Sequence, residues 1–314
     1  MVSIGNTQHN RVVQLVGHGL LGRVSCYLGN LSDGRDHIER SLALADPEQD
    51  GRLALHYGQD PVMAGLAALS WCLWLLGYPD QALRARNQSI IRAEEVRHPQ
   101  TLAFALGWAA GFRGLIDPDP EKLAPLLSRL NTLIEEKGFQ HWLAFCRFAQ
   151  AKMLTEQGQY AEARKVICEG FAAMKASSCA IQVPNVTSVL VSLCLEEGTL
   201  DEGLRAADNG LAAAQRTEER WAESELLRLR GELLLRQGHQ DAGHADLRAA
   251  IGLSRRQQAK SLELRAATSC ARLLQEQGRV SEARQLLQPL HDWFTEGRST
   301  RDQQKAAALL AQLK

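Results

Sequence analysis

Residues 17–23, GHGLLGR, carry the outer glycine spacing of a phosphate-binding loop, in which backbone amides and a lysine cradle phosphates. Arg23 stands in the lysine's place, Val24 stands where a Ser or Thr would hold magnesium, and no strand precedes the motif. His291–Asp292 matches a dipeptide of metal-dependent phosphohydrolases, but a solvated helix face accounts for one such pair. His239 and His244 are five residues apart, about 140° around a helix and off any shared metal-binding face. His141 and Cys146 have the same spacing. No G-x-S-x-G elbow and no paired carboxylates occur. The residue types that remain are ones that bind rather than react, so the chain reads as a non-enzyme with neither metal nor cofactor.

The elements that must position such residues are marked by a recurring glycine. Gly158, Gly198, Gly238 and Gly278 follow one another at steps of forty residues, each closing an apolar run such as AKMLTEQG or GELLLRQG. The ladder extends back through Gly77 to Gly29, with Pro118 at one irregular turn. A fixed period of this length marks a stacked helical repeat. Two columns of small residues accompany it. Seven before each turn stand Gly22, Ser70, Gly111, Ala151, Gly231 and Ala271, with Val191 the exception; five after it stand Gly34, Ala82, Ala163, Gly203, Gly243 and Ala283, with Leu123 the exception. Glycine in a helix costs about 1 kcal/mol relative to alanine, so its recurrence implies close approach of two helices.

This pattern resembles the tetratricopeptide (TPR) repeat, whose usual length is about 34 residues. The fold expected is all-α: one TPR-like, right-handed superhelix over 1–314, with hairpins near 11–45, 61–96, 101–137, 141–176, 181–217, 221–257 and 261–296 and a capping helix at 301–313. Residues 46–60, with Pro47, Gly51 and Gly58, read as the longest linker. Pro79, Asp201 and Ser281 sit where second helices begin, and Pro184 where a first helix opens late.

First helices line the inner surface of such superhelices. Counting thirteen, ten, six and three residues back from each turn places Trp71, Trp74, Trp108 and Phe112 there, then Phe145, Phe148 and Lys152. Later pairs contribute Asn185, then Arg228, then Arg265 and Arg272. The inferred groove changes from aromatic to charged. It could hold a protein or peptide segment, with aromatics as anchors and arginines bidentate to carboxylates. Core packing of the aromatics, and pairing of the arginines with Glu225, Glu232 or Glu263, are the competing readings.

Composition narrows the partners. Thirty-six basic residues balance thirty-six acidic ones, which argues against nucleic acid or an anionic bilayer. Residues 61–79 form a charge-free run close to the roughly 20 residues that span a membrane, but they fill a first-helix slot and read as a buried helix. The N-terminus shows no secretory signal, and seven cysteines without a C-x-x-C pair suggest a reducing compartment; the location expected is cytoplasmic.

Four strings are more specific than any repeat consensus: YGQDPVMAGLAALSWCLWLLGYPDQAL at 57–83, ERWAESELLRLRGELLL at 219–235, RRQQAKSLELRAATSCARL at 255–273 and DWFTEG at 292–297. Together they resemble the C-terminal helical-repeat arm of bacterial proteins that carry a class III adenylate/guanylate cyclase domain and an AAA-type ATPase domain before it. The resemblance runs from about residue 16 onward, with EGRSTRDQQKA departing from the family's more apolar, acidic tail. It implies a sensing or scaffolding arm, a cyclase or ATPase module as partner, and no catalytic residue. A sensor of small molecules, using the aromatic end of the groove, is the alternative expectation.

Overall fold

The computed structural model describes residues 2–46, 49–116, 119–177 and 181–313, so Pro118 and Cys179 lie outside the described residues. Every regular element among them is helical. After α1 (Val2–Thr7), helices pack in consecutive antiparallel pairs: α2 (Arg11–Tyr27) with α3 (Leu31–Ala43), and, beyond the short α4 (Leu53–Tyr57), α5 (Pro61–Leu76) with α6 (Pro79–Val96). Then follow α7 (Pro99–Ile116) with α8 (Pro120–Lys137), α9 (Gln140–Glu156) with α10 (Tyr160–Ala176), and α11 (Val183–Glu197) with α12 (Leu200–Thr217). The last pairs are α13 (Glu223–Arg236) with α14 (Gln240–Arg256) and α15 (Lys260–Glu276) with α16 (Val280–Trp293), after which α17 (Arg301–Gln312) stands alone.

The ladder glycines end first helices because the turn needs a left-handed residue. Gly29, Gly77, Gly158, Gly198, Gly238 and Gly278 have φ between 73° and 95°. At Gly278 the Arg279 amide donates to the Leu274 carbonyl at 2.8 Å, which satisfies one of the last free carbonyls of α15. A second set of left-handed turns ends second helices at Gly138, a glycine off the ladder, and at Arg97, Glu218 and Gln258, where no glycine marks them.

The small-residue columns meet where helices cross. A Cβ on Gly22 would stand 2.8 Å from the Gly34 carbonyl oxygen, and one on Gly243 would stand 2.8 Å from that of Gly231. Gly111 departs from this expectation: a Cβ there would meet nothing within 4 Å. Gly111 instead faces an open cavity, and its counterpart in the other column, Leu123, is a fully buried core residue. The false phosphate loop lies wholly inside α2, with Gly22 committed to the crossing.

Of the 46–60 stretch, Pro47 lies outside the described residues, and the described part is tied down more firmly than a linker. Asp50 is buried and receives a two-pronged Arg11 at 2.9 and 2.6 Å, together with the Asp46 amide at 2.7 Å. Asp60, equally buried, caps α5 through the Met63 amide at 2.7 Å and pairs with Arg92 at 3.0 Å. The helix α5 that follows is charge-free because protein surrounds it; among the described residues no helix is long and apolar enough to cross a membrane.

The array closes on itself. The Trp71 side chain is enclosed by Tyr27, Trp108 and Trp221, with ring centroids 5.2, 6.0 and 4.7 Å away. The Ser261 hydroxyl of α15 donates to the Trp74 carbonyl of α5, and Gly77 fits beneath Trp293. At the outer edge, the Glu296 carboxylate accepts the Asp80 and Gln81 amides at 3.0 and 3.1 Å, while Asp80 accepts the Gly297 amide at 3.1 Å. The second pair thus packs against the last two, and the four strings singled out by resemblance meet along this seam.

Candidate binding chamber

Closure leaves a cavity of about 240 Å³ on the inner side. Its walls are the first helices α7, α9, α11, α13 and α15, with α17 crossing one end. The forty-residue register stacks its side chains in levels. Thirteen residues before the turns lie Phe145, Asn185, Glu225 and Arg265; ten before lie Phe148, Ser188, Arg228 and Thr268; six before lie Lys152, Ser192, Glu232 and Arg272. Gly111 and Gly114 supply a wall without side chains on α7.

The charged residues hold one another. Arg228 grips Glu225 through a two-pronged pair, both contacts 2.8 Å, and reaches Glu232 at 2.8 Å on its other side. Arg265 bonds Asp302 of α17 at 2.8 Å and lies over the Trp74 ring, 5.0 Å from its centroid. Lys152 donates to Ser192 at 2.9 Å and pairs with Glu156 at 3.3 Å; Arg301 of α17 pairs with the same Glu156 from the other side. Ion pairs withdrawn from water are favourable only when each charge has its partners and hydrogen bonds, a condition this lattice meets for Glu225 and Arg228.

Titration follows from that lattice. Burial on its own would raise the Glu225 pKa, but the guanidinium of Arg228, assisted by Arg265 and Lys152, holds it at about 2. Burial disfavours the Arg228 charge, yet Glu225 and Glu232 outweigh it and raise the arginine's pKa. For Lys152 burial prevails over the attraction of Glu156, so its pKa falls. Lys305, on α17, is likewise lowered by burial and then by Arg301.

The inner-face residues separate into two groups. Phe145, Phe148, Lys152 and Asn185 come together on the cavity wall with Arg228, Arg265 and Arg272. Trp71, Trp74, Trp108 and Phe112 do not line it. Trp71, Trp74 and Phe112 are at most 4% exposed, and Trp108 packs against their cluster. Closure of the array is the physical reason: Tyr27 and Trp221 occupy the space into which a guest's side chain would have to reach. Phe148 also serves the core, edge-on to Phe171 at 5.0 Å.

Several wall residues escaped sequence reasoning. Glu156 and Arg236 stand two residues before their turns, one helical turn beyond the level of Lys152 and Glu232, and the same count continued would have reached them. Arg301, Asp302 and Lys305 had no such signal, because only the tertiary path of α17 brings a terminal helix over the cavity. Neither the His239/His244 pair nor His291 belongs to a metal-binding group; among the described residues no cluster of three or more His, Cys, Asp or Glu could hold an ion.

No known protein family matches the chain, and no curated protein is similar to it.

Proposed function

We propose that the chain is a non-catalytic regulatory scaffold, a TPR-like right-handed superhelix of about seven hairpins that serves a nucleotide-cyclase or ATPase signalling system. The observation that carries this reading is the chamber: most of its charged groups, Lys152, Glu225, Arg228 and Arg265 among them, are held in place before any guest arrives, so little ordering of those side chains is left to oppose binding. The meeting of the four family-like strings along one seam supports the link to cyclase–ATPase proteins, because the resemblance then covers one structural unit and not scattered helices. The test is calorimetry of the purified chain against a class III cyclase or AAA-type ATPase module encoded beside it. Saturable binding with a change in the module's nucleotide turnover is expected; neither effect would overturn the reading.

One feature favours a small guest over an extended peptide. The seam fills the aromatic end of the groove, which leaves a recess of about 240 Å³ lined largely by polar and charged side chains. In this second reading the arm senses a small molecule through charge, not through the aromatic pocket that its sequence suggests.

A further inference from the structure

The chamber holds more positive charge than its own carboxylates answer. Seven basic side chains line it against five acidic ones, an excess of two in a chain whose overall charge is zero. The carboxylates are largely spoken for: Glu225 and Glu232 engage Arg228, Asp302 engages Arg265, and Glu156 bridges Lys152 and Arg301. Arg236 turns to the Leu195 carbonyl. Two cations remain. Arg272 on α15 and Lys305 on α17 line the cavity and make no hydrogen bond or ion pair among the described residues.

These two residues belong to helices that pack directly on each other. Arg272 and Lys305 both keep substantial exposure, so a guest can reach them; around Lys305, Arg301 and Arg228 repel the ammonium, while Asp302 and Glu156, already paired, only partly offset them. Glu196, the one lining carboxylate without a partner among the described residues, stands two residues before its turn, a helical turn away from the level of Arg272. The Ser192 hydroxyl on α11 accepts from Lys152 and keeps its own hydrogen to donate to an oxygen, whereas Ser269 on α15 already donates to Glu232.

From this we infer that the chamber is a binding site for a small dianionic oxyanion, a phosphate monoester or a dicarboxylate, whose charge is met by Arg272 and Lys305. A guanidinium presents parallel donors to two oxygens of either group, and the ammonium supplies a second point of charge. The inference rests on the small-guest reading of the chamber given above and names the guest's chemistry.

Inorganic phosphate and succinate are the probes, titrated calorimetrically into the full chain and into Arg272→Gln, Lys305→Gln and Ser192→Trp, the last of which blocks the cavity. At least one probe should bind saturably, and preference between them tells phosphate from carboxylate as the source. Each charge substitution should weaken binding about tenfold or more, Arg272→Lys should restore part of it, and Ser192→Trp should abolish it. Because Arg272 has no partner to lose, R272Q should keep the circular dichroism and melting temperature of the parent. Absence of binding by both probes overturns the inference. Binding that R272Q and K305Q leave unchanged but S192W removes also overturns it and leaves the chamber as the site of a different guest; binding indifferent to all three overturns both.

Discussion

The indole of Trp71 meets that of Trp221 edge to face, with ring centroids 4.7 Å apart, although one lies in the second helix pair and the other at the entrance to the sixth. Offset aromatic contacts add about 0.5–1.5 kcal/mol to the apolar burial of the rings themselves. Trp221 is 3% exposed, so its truncation leaves a cavity at the seam. Trp221→Ala should destabilise the fold by about 3–5 kcal/mol. Small-angle scattering should show an expanded particle before global unfolding; an unchanged radius of gyration across the transition would mean that this contact does not hold the array closed.

Glycines of the two small-residue columns should respond to alanine with opposite signs at Gly243 and Gly111. At Gly243 the added methyl meets the Gly231 carbonyl oxygen and the Leu235 side chain, and overpacking of this kind costs about 1–3 kcal/mol. At Gly111 the methyl meets nothing, so Gly111→Ala should gain about 1 kcal/mol of helix propensity. Chemical denaturation of the two variants measures both; equal effects would contradict the crossing geometry.

Glu296 acts as a cap delivered from the far end of the chain. Glu296→Ala removes acceptors from the first-turn amides of α6 and should cost about 1–2 kcal/mol. Hydrogen exchange at Asp80 and Gln81 should accelerate while exchange within α10 stays as it was. Uniform acceleration would point to a global effect instead.

Acid should attack the chamber through Glu225. Its folded pKa, about 2, lies below the ordinary glutamate value of about 4.3, so its contribution is complete above the unfolded value and fades as pH falls from about 5 toward 2. Glu225→Gln should be less stable than the parent at neutral pH by about 3–5 kcal/mol, because Arg228 and Arg265 lose a buried partner. Its melting temperature should also fall less steeply between pH 5 and 3, roughly the window set by those two pKa values. Parallel pH profiles would show that Glu225 is not the group that titrates.

The legible part of this fold is the part that local rules govern. Turns that need a left-handed residue and use glycine show in the sequence, and from them the helix pairs and the register of Lys152, Arg228, Arg265 and Arg272 follow. The turns at Arg97, Glu218 and Gln258 adopt the same backbone with ordinary residues, so they leave no mark. Trp71 and Trp74 show why periodicity assigns a helix face but not its neighbour: the face that the register assigns to the inner side is the face on which Trp221 and Ser261 land. That landing depends on curvature accumulated over five pairs, which no window of sequence contains. Arg301, Asp302 and Lys305 were unreadable for the same reason.

Closure at the seam also changes how this molecule should come apart. An open solenoid sheds its terminal repeats first, and its stability is close to a sum over nearest neighbours. Here the second pair is fastened to the last two by contacts such as Ser261 to Trp74, so neither flank frays independently. Joining segments so distant in sequence is entropically costly and belongs late in folding. Unfolding should accordingly start by parting the seam, and removing one internal repeat would shift the curvature that brings its two sides together, so repeats here are not interchangeable modules.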